Sequence, residues 1–506
     1  MKNFSSKRAL LLSLLSMVIC VSMLIGSTFA WFTDSATANV NEIKSGNLDI
    51  VLEKQNADGT WSEVSENTAL DFLRKGTDGK LAEDANIFWE PGCTFELPML
   101  RIRNNGNLAL KYQVVISGAT GDTMLLDVIK FKAYVGNDTE GTAVNVNDGK
   151  PVAEGMLVPA EKADETNKSE QTIKISAHMD ETANNDYKNL KVTGITITVV
   201  ATQTAYEYDS NGNTYDNNAQ YPYVNYVHAT GTESLKDAIA GSNDSEKPTY
   251  IGLAHGEYNI DSSDVIGAGT TLAGAGKDKS TINADKVSVG SSDVTIKDVT
   301  IKGSTPQGND GSVNIGGANT TIDNVKFVGS GFNGDTKGIS VTGSDLVIRN
   351  SEISNAFRGI IFWDNIGGNN LIENCTIDNV IYTFNINAST VKPGTTLTVK
   401  NSTLNGWTSY SGCMSLVSFE KCNLGKSNGY AYLVAYADTT FTDCTFNDGY
   451  KVAAGNVSGK TITITNCKLA DGTVITAENF AEKLGDVDND MKNNTVIVNG
   501  TTVTFN

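Results

Sequence analysis

The sequence contains few prolines and histidines and only one long hydrophobic run. Its 506 residues include 8 Pro and 3 His. The histidines, His178, His228 and His255, lie far apart and form no HExxH pair, which excludes the usual metallopeptidase zinc site. His178, in the segment IKISAHMD, is predicted to be a strand residue near a loop. The scarcity of proline and the 48 glycines are typical of an all-β protein with many tight turns.

Cysteine is also scarce, and the 7 cysteines lie too far apart for a zinc cluster, whose ligands come in pairs about two to four residues apart. Four of them recur at one position of an internal repeat, where we expect them to fill the core as small apolar side chains. These are Cys375, Cys422, Cys444 and Cys467. A disulfide between Cys422 and Cys444 stays open in an oxidising compartment. Cys20 lies in the amino-terminal hydrophobic run, and Cys93 and Cys413 have no evident mate.

Acidic residues outnumber basic residues, and the formal net charge is −19. Such a surface repels nucleic acid and anionic membranes, so neither is an expected partner. Acidity serves solubility, or it gives weak, dispersed cation binding. Asp486, Asp488 and Asp490 resemble the start of a calcium loop, but the glycine and distal glutamate are missing, which favours a solvated turn. We predict no metal site and no cofactor.

The hydrophobic run belongs to a predicted secretory signal over residues 1–30. Lys2, Lys7 and Arg8 precede an apolar stretch, and small residues surround a cleavage site between Ala30 and Trp31. An uncleaved membrane anchor is the alternative, because the stretch is almost long enough to span a bilayer. The carboxyl end shows neither a hydrophobic tail nor a sorting motif, so we expect the exported protein to be free of a covalent anchor.

Residues 31–205 are predicted to form an antiparallel β-sandwich. Alternating apolar residues over 90–118 and 192–216 are separated by turn residues such as Pro91-Gly92. The tract 206–230, rich in Asn, Asp and Tyr, is predicted to be an interdomain linker.

The amino-terminal half resembles the TasA/camelysin family on several motifs that occur in order. The motifs are Ala30-Trp31-Phe32-Thr33-Asp34, Ser45-Gly46-Asn47-Leu48-Asp49, Pro91-Gly92 and Asn104-Asn105-Gly106-Asn107-Leu108-Ala109. The resemblance covers about residues 1–215. It implies a signal peptide of the SipW type, a jelly-roll domain, secretion by a Gram-positive bacterium, and a role in extracellular matrix, biofilm or cell surface. It also implies that Trp31–Val40 donates a strand to another subunit, which would make matrix subunits a partner; the alternative is that this segment pairs within its own sheet.

Residues 231–506 are predicted to form a parallel β-helix, because one short phrase recurs eight times between residues 296 and 469. Its copies are IKDVTI, IDNVKF, IRNSEI, IENCTI, VKNSTL, FEKCNL, FTDCTF and ITNCKL. Their spacing of 20 to 27 residues is typical of a β-solenoid of roughly eight to ten coils. The asparagines that recur at the bend are expected to form a hydrogen-bonded ladder, which Asp298, Lys421 and Asp443 interrupt. They are Asn324, Asn350, Asn374, Asn401 and Asn466.

Two short helices are predicted at the ends of this region. One, around Leu235 and Ile239, would cap the solenoid before its first strand, and the other covers Glu478–Leu484. The region resembles the pectin-lyase-like right-handed parallel β-helix superfamily, a likeness that is specific for fold and poor for function. The predicted fold class is therefore all-β: a jelly-roll or sandwich followed by a right-handed parallel β-helix.

Only weak catalytic candidates emerge when the coils are aligned on their repeats. Lys337 falls beside Arg358, with Asp335 and Asp364 in adjoining loops. A cationic pair beside acids could serve β-elimination from an acidic sugar, with Lys or Arg as the base; a salt-bridged surface ladder is the alternative.

Aromatic residues in the same region are candidates for stacking on sugar rings, although some must be core. They are Trp363, Trp407, Tyr410, Tyr430 and Tyr432. The sequence therefore favours a structural or adhesive protein of the extracellular matrix or cell surface, with a binding face for which extracellular polysaccharide is a candidate ligand. The alternatives are a polysaccharide lyase or glycoside hydrolase, and an adhesin that binds protein.

Overall fold

The computed structural model describes most of the chain from Leu48 to Phe505. The described residues are 48–64, 68, 70–75, 81–83, 87–146, 149–204, 223–244, 247–303, 311–332, 336–388, 390–410, 414–447 and 449–505. Residues 47–506 form one compact unit. The cleavage site Ala30–Trp31 and the proposed donor strand Trp31–Val40 lie outside the described residues. Among the helices that are described, none is long and apolar enough to cross a membrane.

The amino-terminal part contains antiparallel sheets around a common core. The largest sheet contains Trp61–Glu63, Ile50–Gln55, Leu100–Asn104, Glu170–Met179, Thr94–Glu96, Leu73–Lys75, Leu81–Glu83, Ile129–Val135 and Thr142–Val144. A second sheet contains Pro151–Leu157, Leu110–Ser117 and Thr196–Gln203, and a small ladder pairs Thr120–Gly121 with Val192–Thr193. Single 3₁₀ turns lie at Thr123–Asp127, Ala160–Lys162 and Asn185–Tyr187.

Period-two alternation explains why these segments form half-buried strands. Leu100 and Ile102 face the core, whereas Arg101 and Arg103 face outward and pair with Glu53. The core includes residues of both larger sheets. His178 lies near the end of a strand, with its Nδ1 atom 2.8 Å from the Thr94 hydroxyl, so its assignment as a strand residue is confirmed. The jelly-roll topology stays a prediction.

The carboxyl-terminal part is a parallel β-solenoid of about nine turns, as the repeat predicts. Three ladders of strands run along it. The first ladder contains Asn225–Ala229, Thr249–Leu253, Thr270–Ala273, Thr295–Lys297, Thr321–Asp323, Val347–Arg349, Asn369–Glu373, Thr396–Lys400, Leu416–Glu420, Asp438–Thr442, Thr461–Thr465 and Thr495–Val498, and Thr501–Thr502 closes it in antiparallel.

The second and third ladders are joined through one long strand, Glu352–Phe362. The second also contains Gly256–Ile260, Ser280–Ala284, Thr300–Gly303, Lys326–Gly331, Thr376–Ile377, Thr403–Asn405, Asn423–Gly425, Thr445–Phe446 and Lys468–Leu469. The third also contains Val265–Ile266, Val287–Val289, Val313–Ile315, Lys337–Val341, Val380–Ile386, Trp407–Tyr410, Tyr432–Ala435 and Lys451–Ala454.

The bend between the first and second ladders has a left-handed backbone at the repeated Asn, Asp or Lys position. Asn350 and Asn374 have φ values of 53°, a conformation that Asn and Asp tolerate better than most residues. Asn324 donates to the Asp298 carboxylate at 2.8 Å, and Asn466 donates to the Asp443 carboxylate. The expectation that aspartates interrupt the ladder is therefore wrong, because a carboxylate accepts the amide hydrogen that the next turn offers.

The solenoid core consists of side chains stacked in register along the rod. Phe384, Phe419 and Phe441 stack with ring centroids 6.1 and 4.9 Å apart. The four repeat cysteines are buried free thiols, which confirms their role as core residues. Cys93 is half-buried, and Cys413 lies outside the described residues.

Among the described residues of the solenoid part, three segments are helical. Thr232–Asn243 buries Leu235 and Ile239, as predicted, but it follows the strand Asn225–Ala229 instead of preceding the first strand. That strand falls within the tract that the sequence assigned to the linker. Phe480–Lys483 confirms the second predicted helix, and Asn489–Lys492 is a further short one, capped by the Asp488 carboxylate.

Candidate functional site: a column of cations and aromatic rings

One position recurs in register on consecutive turns of the third ladder and holds only cationic and aromatic side chains. Its members, which we call the cation–aromatic column, are Lys337, Arg358, Tyr382, Trp407, Tyr432 and Lys451. None belongs to the solenoid core, and all except Lys337 are partly exposed. At about 4.8 Å per turn, the column is about 24 Å long.

The rings of the column stack because parallel pairing places equivalent side chains directly above one another. Tyr382 and Trp407 have centroids 4.8 Å apart and planes 20° apart. Phe357 extends the stack beyond Tyr382 at 5.6 Å, and Tyr432 meets Trp407 edge-on at 6.2 Å. These distances are typical of favourable aromatic pairs.

Tyr430 stacks on Trp407 because of a tight turn. Ser427 and Tyr430 exchange two backbone hydrogen bonds around Asn428 and Gly429, whose φ values are 48° and 90°. Asn-Gly is the preferred sequence for such a two-residue turn. The turn sets the Tyr430 ring 5.8 Å from Trp407 and 17° from parallel, and leaves Tyr430 40% exposed.

Arg358 connects the cationic end of the column to its rings. Its guanidinium carbon lies 4.8 Å from the Tyr382 ring centroid and 5.6 Å from that of Phe357. Its Nη1 atom also donates to the side-chain oxygen of Asn385 at 2.7 Å. The flat guanidinium is thus held against the aromatic stack, a geometry that Arg provides better than Lys.

Tyr432 is held as a neutral hydrogen-bond donor. Its hydroxyl donates to the Asp486 carboxylate. Burial raises the pKa of Tyr432, and the neighbouring Asp486 carboxylate raises it further. Tyr432 therefore keeps its proton at physiological pH and cannot act as a general base.

A cavity of about 380 Å³ lies at the Lys451 end of the column. It is lined by Trp407, Lys426, Gly429, Tyr430, Ala431, Tyr432, Gly449 and Lys451. Lys451 donates to the backbone carbonyl of Glu482 at 3.1 Å, and Lys426 is exposed. Among the described residues that line this cavity, the polar groups are the ammonium groups of Lys426 and Lys451 and the hydroxyls of Tyr430 and Tyr432.

The indole N–H of Trp407 is an unsatisfied donor beneath these rings. It is out of contact with solvent and has no hydrogen-bond partner. Buried polar groups are normally paired, so leaving this donor without a partner lowers the stability of the folded state.

The structure brings together two of the four catalytic candidates. Lys337 pairs directly with Arg358 across neighbouring strands, and only 6% of Lys337 is exposed. Asp364 lies in the loop after the strand Glu352–Phe362. Its carboxylate accepts a hydrogen bond from the backbone N–H of Thr390 at 2.8 Å and so stabilises a turn. Asp335 lies outside the described residues.

The predicted aromatic candidates divide between the column and other places. Trp407 and Tyr430 belong to the stack, whereas Trp363 lines a separate groove and donates its indole N–H to Ser340 at 2.8 Å. The side chain of Tyr410 lies outside the described residues, although its backbone belongs to a strand.

Sequence reasoning missed Phe357, Tyr382 and Lys451. Aligning the coils at the third ladder would have found Tyr382 and Lys451, since each lies about one repeat from its column neighbour. The repeated phrase marks the bend between the first two ladders. The residue spacing along the third ladder is less regular, because the turns differ in length and the register shifts between Tyr382 and Phe384.

A more enclosed cavity of about 530 Å³ lies where the antiparallel part meets the first turns of the solenoid. Apolar residues such as Ile116 and Phe131 line one side, and Tyr226, His228 and Tyr250 line the other. The Tyr226 hydroxyl lies 2.9 Å from that of Ser117, which joins the two parts. Burial lowers the pKa of His228 to about 4.

The described residues include no group of three or more metal-ligating side chains placed to hold an ion. Within the calcium-like segment, the Asp488 carboxylate caps a helix and that of Asp486 accepts from Tyr432. Their oxygens thus serve protein donors at two different places.

No protein-family model matches the chain, and no curated protein matches it. Solved structures that resemble it include the A-module of mannuronan C-5 epimerase from Azotobacter vinelandii (14% identity, TM-score 0.35, 55% of this chain and 93% of that one). Others are a GH87 α-1,3-glucanase in complex with nigerose (14%, 0.33, 84% and 84%) and an alginate lyase from Paenibacillus sp. (15%, 0.29, 52% and 98%). These likenesses are too low to carry an argument about activity, so the function is argued from the column itself.

Proposed function

We propose that the protein binds an extended polysaccharide along the cation–aromatic column. The observation that carries this proposal is the stack of Tyr382, Trp407 and Tyr430, with cationic side chains beyond both ends. Aromatic rings that are partly exposed offer flat apolar surface to the C–H faces of sugars, while nearby N–H groups bind sugar oxygens.

The dimensions of the column suit a chain better than a single sugar. The in-register residues extend about 24 Å along the solenoid, and its rigid backbone fixes their spacing. A rigid array of contacts binds an extended polymer with little loss of protein entropy. We therefore expect affinity to rise with the length of the oligosaccharide until the column is filled.

The experiment compares the whole chain with a double variant, Tyr382→Ala/Trp407→Ala, against a panel of uronate-containing and neutral polysaccharides. We expect retention of at least one polymer by the unaltered protein and a loss of retention of roughly a hundredfold in the double variant. Trp61→Ala, which removes a partly exposed ring from the amino-terminal sheet, is the control. Equal binding by the double variant would refute the column as the binding face.

Cleavage of the bound polymer is a second candidate function, favoured by the pairing of Lys337 with Arg358 beside the stack. In β-elimination a base takes the proton from the carbon next to a uronate carboxylate, a carbon–carbon double bond forms, and the glycosidic oxygen leaves with a proton. The same panel, followed by absorbance of unsaturated products, tests this. Turnover that disappears in Lys337→Ala and Arg358→Ala would establish it, and no product from any polymer that binds would leave a binding protein.

We propose an extracellular location and a role for the amino-terminal part in attachment or assembly at the matrix or cell surface. The support is the signal-like sequence of residues 1–30 and the motifs around Ala30 and Trp31. Secretion of the chain with a new amino terminus at Trp31, read by mass spectrometry of the culture medium of a Gram-positive host, is the expected outcome. Retention in the membrane with residues 1–30 intact would contradict it.

A further inference from the structure

The outward face of the first ladder carries a column of charges that alternate in sign. One register position on six consecutive turns, which we call the charge column, holds Lys297, Asp323, Arg349, Glu373, Lys400 and Glu420. Its three cations and three carboxylates cancel, whereas the whole chain has a formal net charge of −19. The repulsion that keeps two acidic molecules apart is therefore weakest along this strip.

Contacts within the chain use only part of the charge in this column. The Arg349 guanidinium bonds the Asp323 carboxylate at 2.9 Å, and the side chain of Arg349 stays 49% exposed. The Lys400 ammonium lies 3.3 Å from the Glu420 carboxylate, which stays 47% exposed. Glu373 lies between these two pairs and has no ion-pair partner among the described residues. The charges of the column thus remain available to another molecule.

An uncharged column runs beside the charge column, two residues earlier in each strand. Its members, all half-buried and none of them part of the solenoid core, are Thr295, Thr321, Val347, Leu371, Thr398, Ser418, Thr440 and Thr463. Short, mainly β-branched side chains make a level strip on which a second sheet can pack at a distance of about 10 Å.

The length of this face that a second molecule can reach is limited by the antiparallel part. The Tyr226 hydroxyl, on the first strand of the ladder, lies 2.9 Å from that of Ser117, so the antiparallel part lies over the first turns. The face beyond them runs from Thr295–Lys297 to Thr461–Thr465, a total of eight strands. At about 4.8 Å per strand it covers on the order of 600 Å². A standard stable interface buries about 800 Å² on each partner, so this face suits a reversible dimer.

We infer that two copies of the chain associate through this face, with their solenoids antiparallel and a two-fold axis between the turns of Glu373 and Lys400. That axis passes through the middle of the eight strands. Glu373 then faces Lys400 of the second copy. Arg349 faces Glu420 of the second copy, and the symmetry repeats both pairs. Parallel solenoids would instead set each charge opposite its own equivalent, so like charges would meet.

The test measures the oligomeric state of the whole chain by sedimentation velocity over a range of concentrations, at low and high salt. Two charge reversals, Glu373→Lys and Lys400→Glu, are studied separately and as an equimolar mixture. Lys468→Glu reverses an exposed charge on the second ladder and is the control. Thermal unfolding checks that each variant is folded. The cation–aromatic column lies on the third ladder, so none of these substitutions alters it.

We expect the unaltered protein and the control to form dimers that high salt weakens. Each reversal alone should raise the dissociation constant of the dimer by at least about tenfold, because like charges then face each other across the axis. In the mixture, the altered residue of each variant faces a charge of opposite sign in the other variant, so dimers should return. Monomers at every concentration, dimers that both reversals leave intact, or a mixture that does not recover would each overturn the inference. Binding of polysaccharide tests the proposed function separately.

Discussion

Tyr382 and Trp407 lie on consecutive turns of the solenoid with their ring planes 20° apart. Their strands are hydrogen-bonded neighbours and the two residues are in register, so the strand pairing itself places one ring above the other. A parallel solenoid repeats any outward position about every 4.8 Å. Rings at that position therefore form a continuous surface, and a substitution in the middle of the column affects neighbours on both sides.

Two substitutions of Trp407 separate the contribution of its ring to stability from that of its N–H group. Trp407→Ala removes contacts with Tyr382 and Tyr430 and should lower the free energy of unfolding by about 1–3 kcal/mol, less than for a fully buried ring. Trp407→Phe keeps a ring and removes the unpaired donor, so it should cost less than about 1 kcal/mol. Denaturant unfolding measures both values, and polymer binding should survive in the Phe variant alone. A loss in Trp407→Phe as large as in Trp407→Ala would show that the indole N–H has a partner.

The bend of each turn offers a test of backbone strain. Asn350 has a φ of 53°, donates to the Asp323 carboxylate at 2.8 Å and accepts from Asn374 at 3.3 Å. Both Asn350→Gly and Asn350→Ala lose these bonds, but only alanine strains the left-handed backbone. Asn350→Ala should therefore be about 1 kcal/mol less stable than Asn350→Gly, measured by urea unfolding. Equal stabilities would mean that the side-chain ladder, and not the φ value, determines the choice of Asn here.

Much of the solenoid could be predicted from the sequence because the bend imposes a strict local rule. A left-handed residue between two short strands leaves few choices at that position and fixes the alternation around it. Asn374 and Cys375 were thus assigned correctly to the bend and to the core. For the antiparallel part, only the presence of sheets and a core could be predicted, because its strand order depends on pairing between residues far apart in sequence.

The candidate site was predicted in part, for a physical reason. Lys337 and Arg358 were paired correctly because the coils between them have nearly the repeat length. Tyr382 was missed because packing in the core does not constrain an outward-facing position, so no single residue type recurs there. Trp363 was grouped with the other aromatic candidates, but it lines a separate groove together with residues of the loop after Phe362.

The core cysteines should be unreactive in the folded protein. Burial raises the pKa of Cys375 to about 11, and 2% of the residue is exposed, so its thiolate is scarce at pH 8. A thiol reagent at pH 8, with sites located by mass spectrometry, should label Cys375 only after denaturation. Cys93 is half-buried and is the internal reference that should be labelled in the native state. Labelling of native Cys375 as fast as Cys93 would contradict its place in the core.

His228 should make stability depend on pH in a defined window. Its Nε2 atom is buried without a partner, and burial lowers its pKa from an ordinary value of 6.5 to about 4. Between these two values the unfolded chain binds a proton that the folded protein does not, so stability rises with pH across the window and is complete above about pH 6.5. Lowering the pH from 7.5 to 4.5 should reduce the free energy of unfolding by on the order of 2–3 kcal/mol through this residue.

Carboxyl groups elsewhere in the protein titrate in the same range, so the measured quantity is the difference in unfolding free energy between the unaltered protein and His228→Gln. The gap in unfolding free energy between them should shift in favour of the variant as the pH falls. A gap that stays constant from pH 7.5 to 4.5 would show that His228 is solvated or paired in solution, and that the cavity beside it admits water.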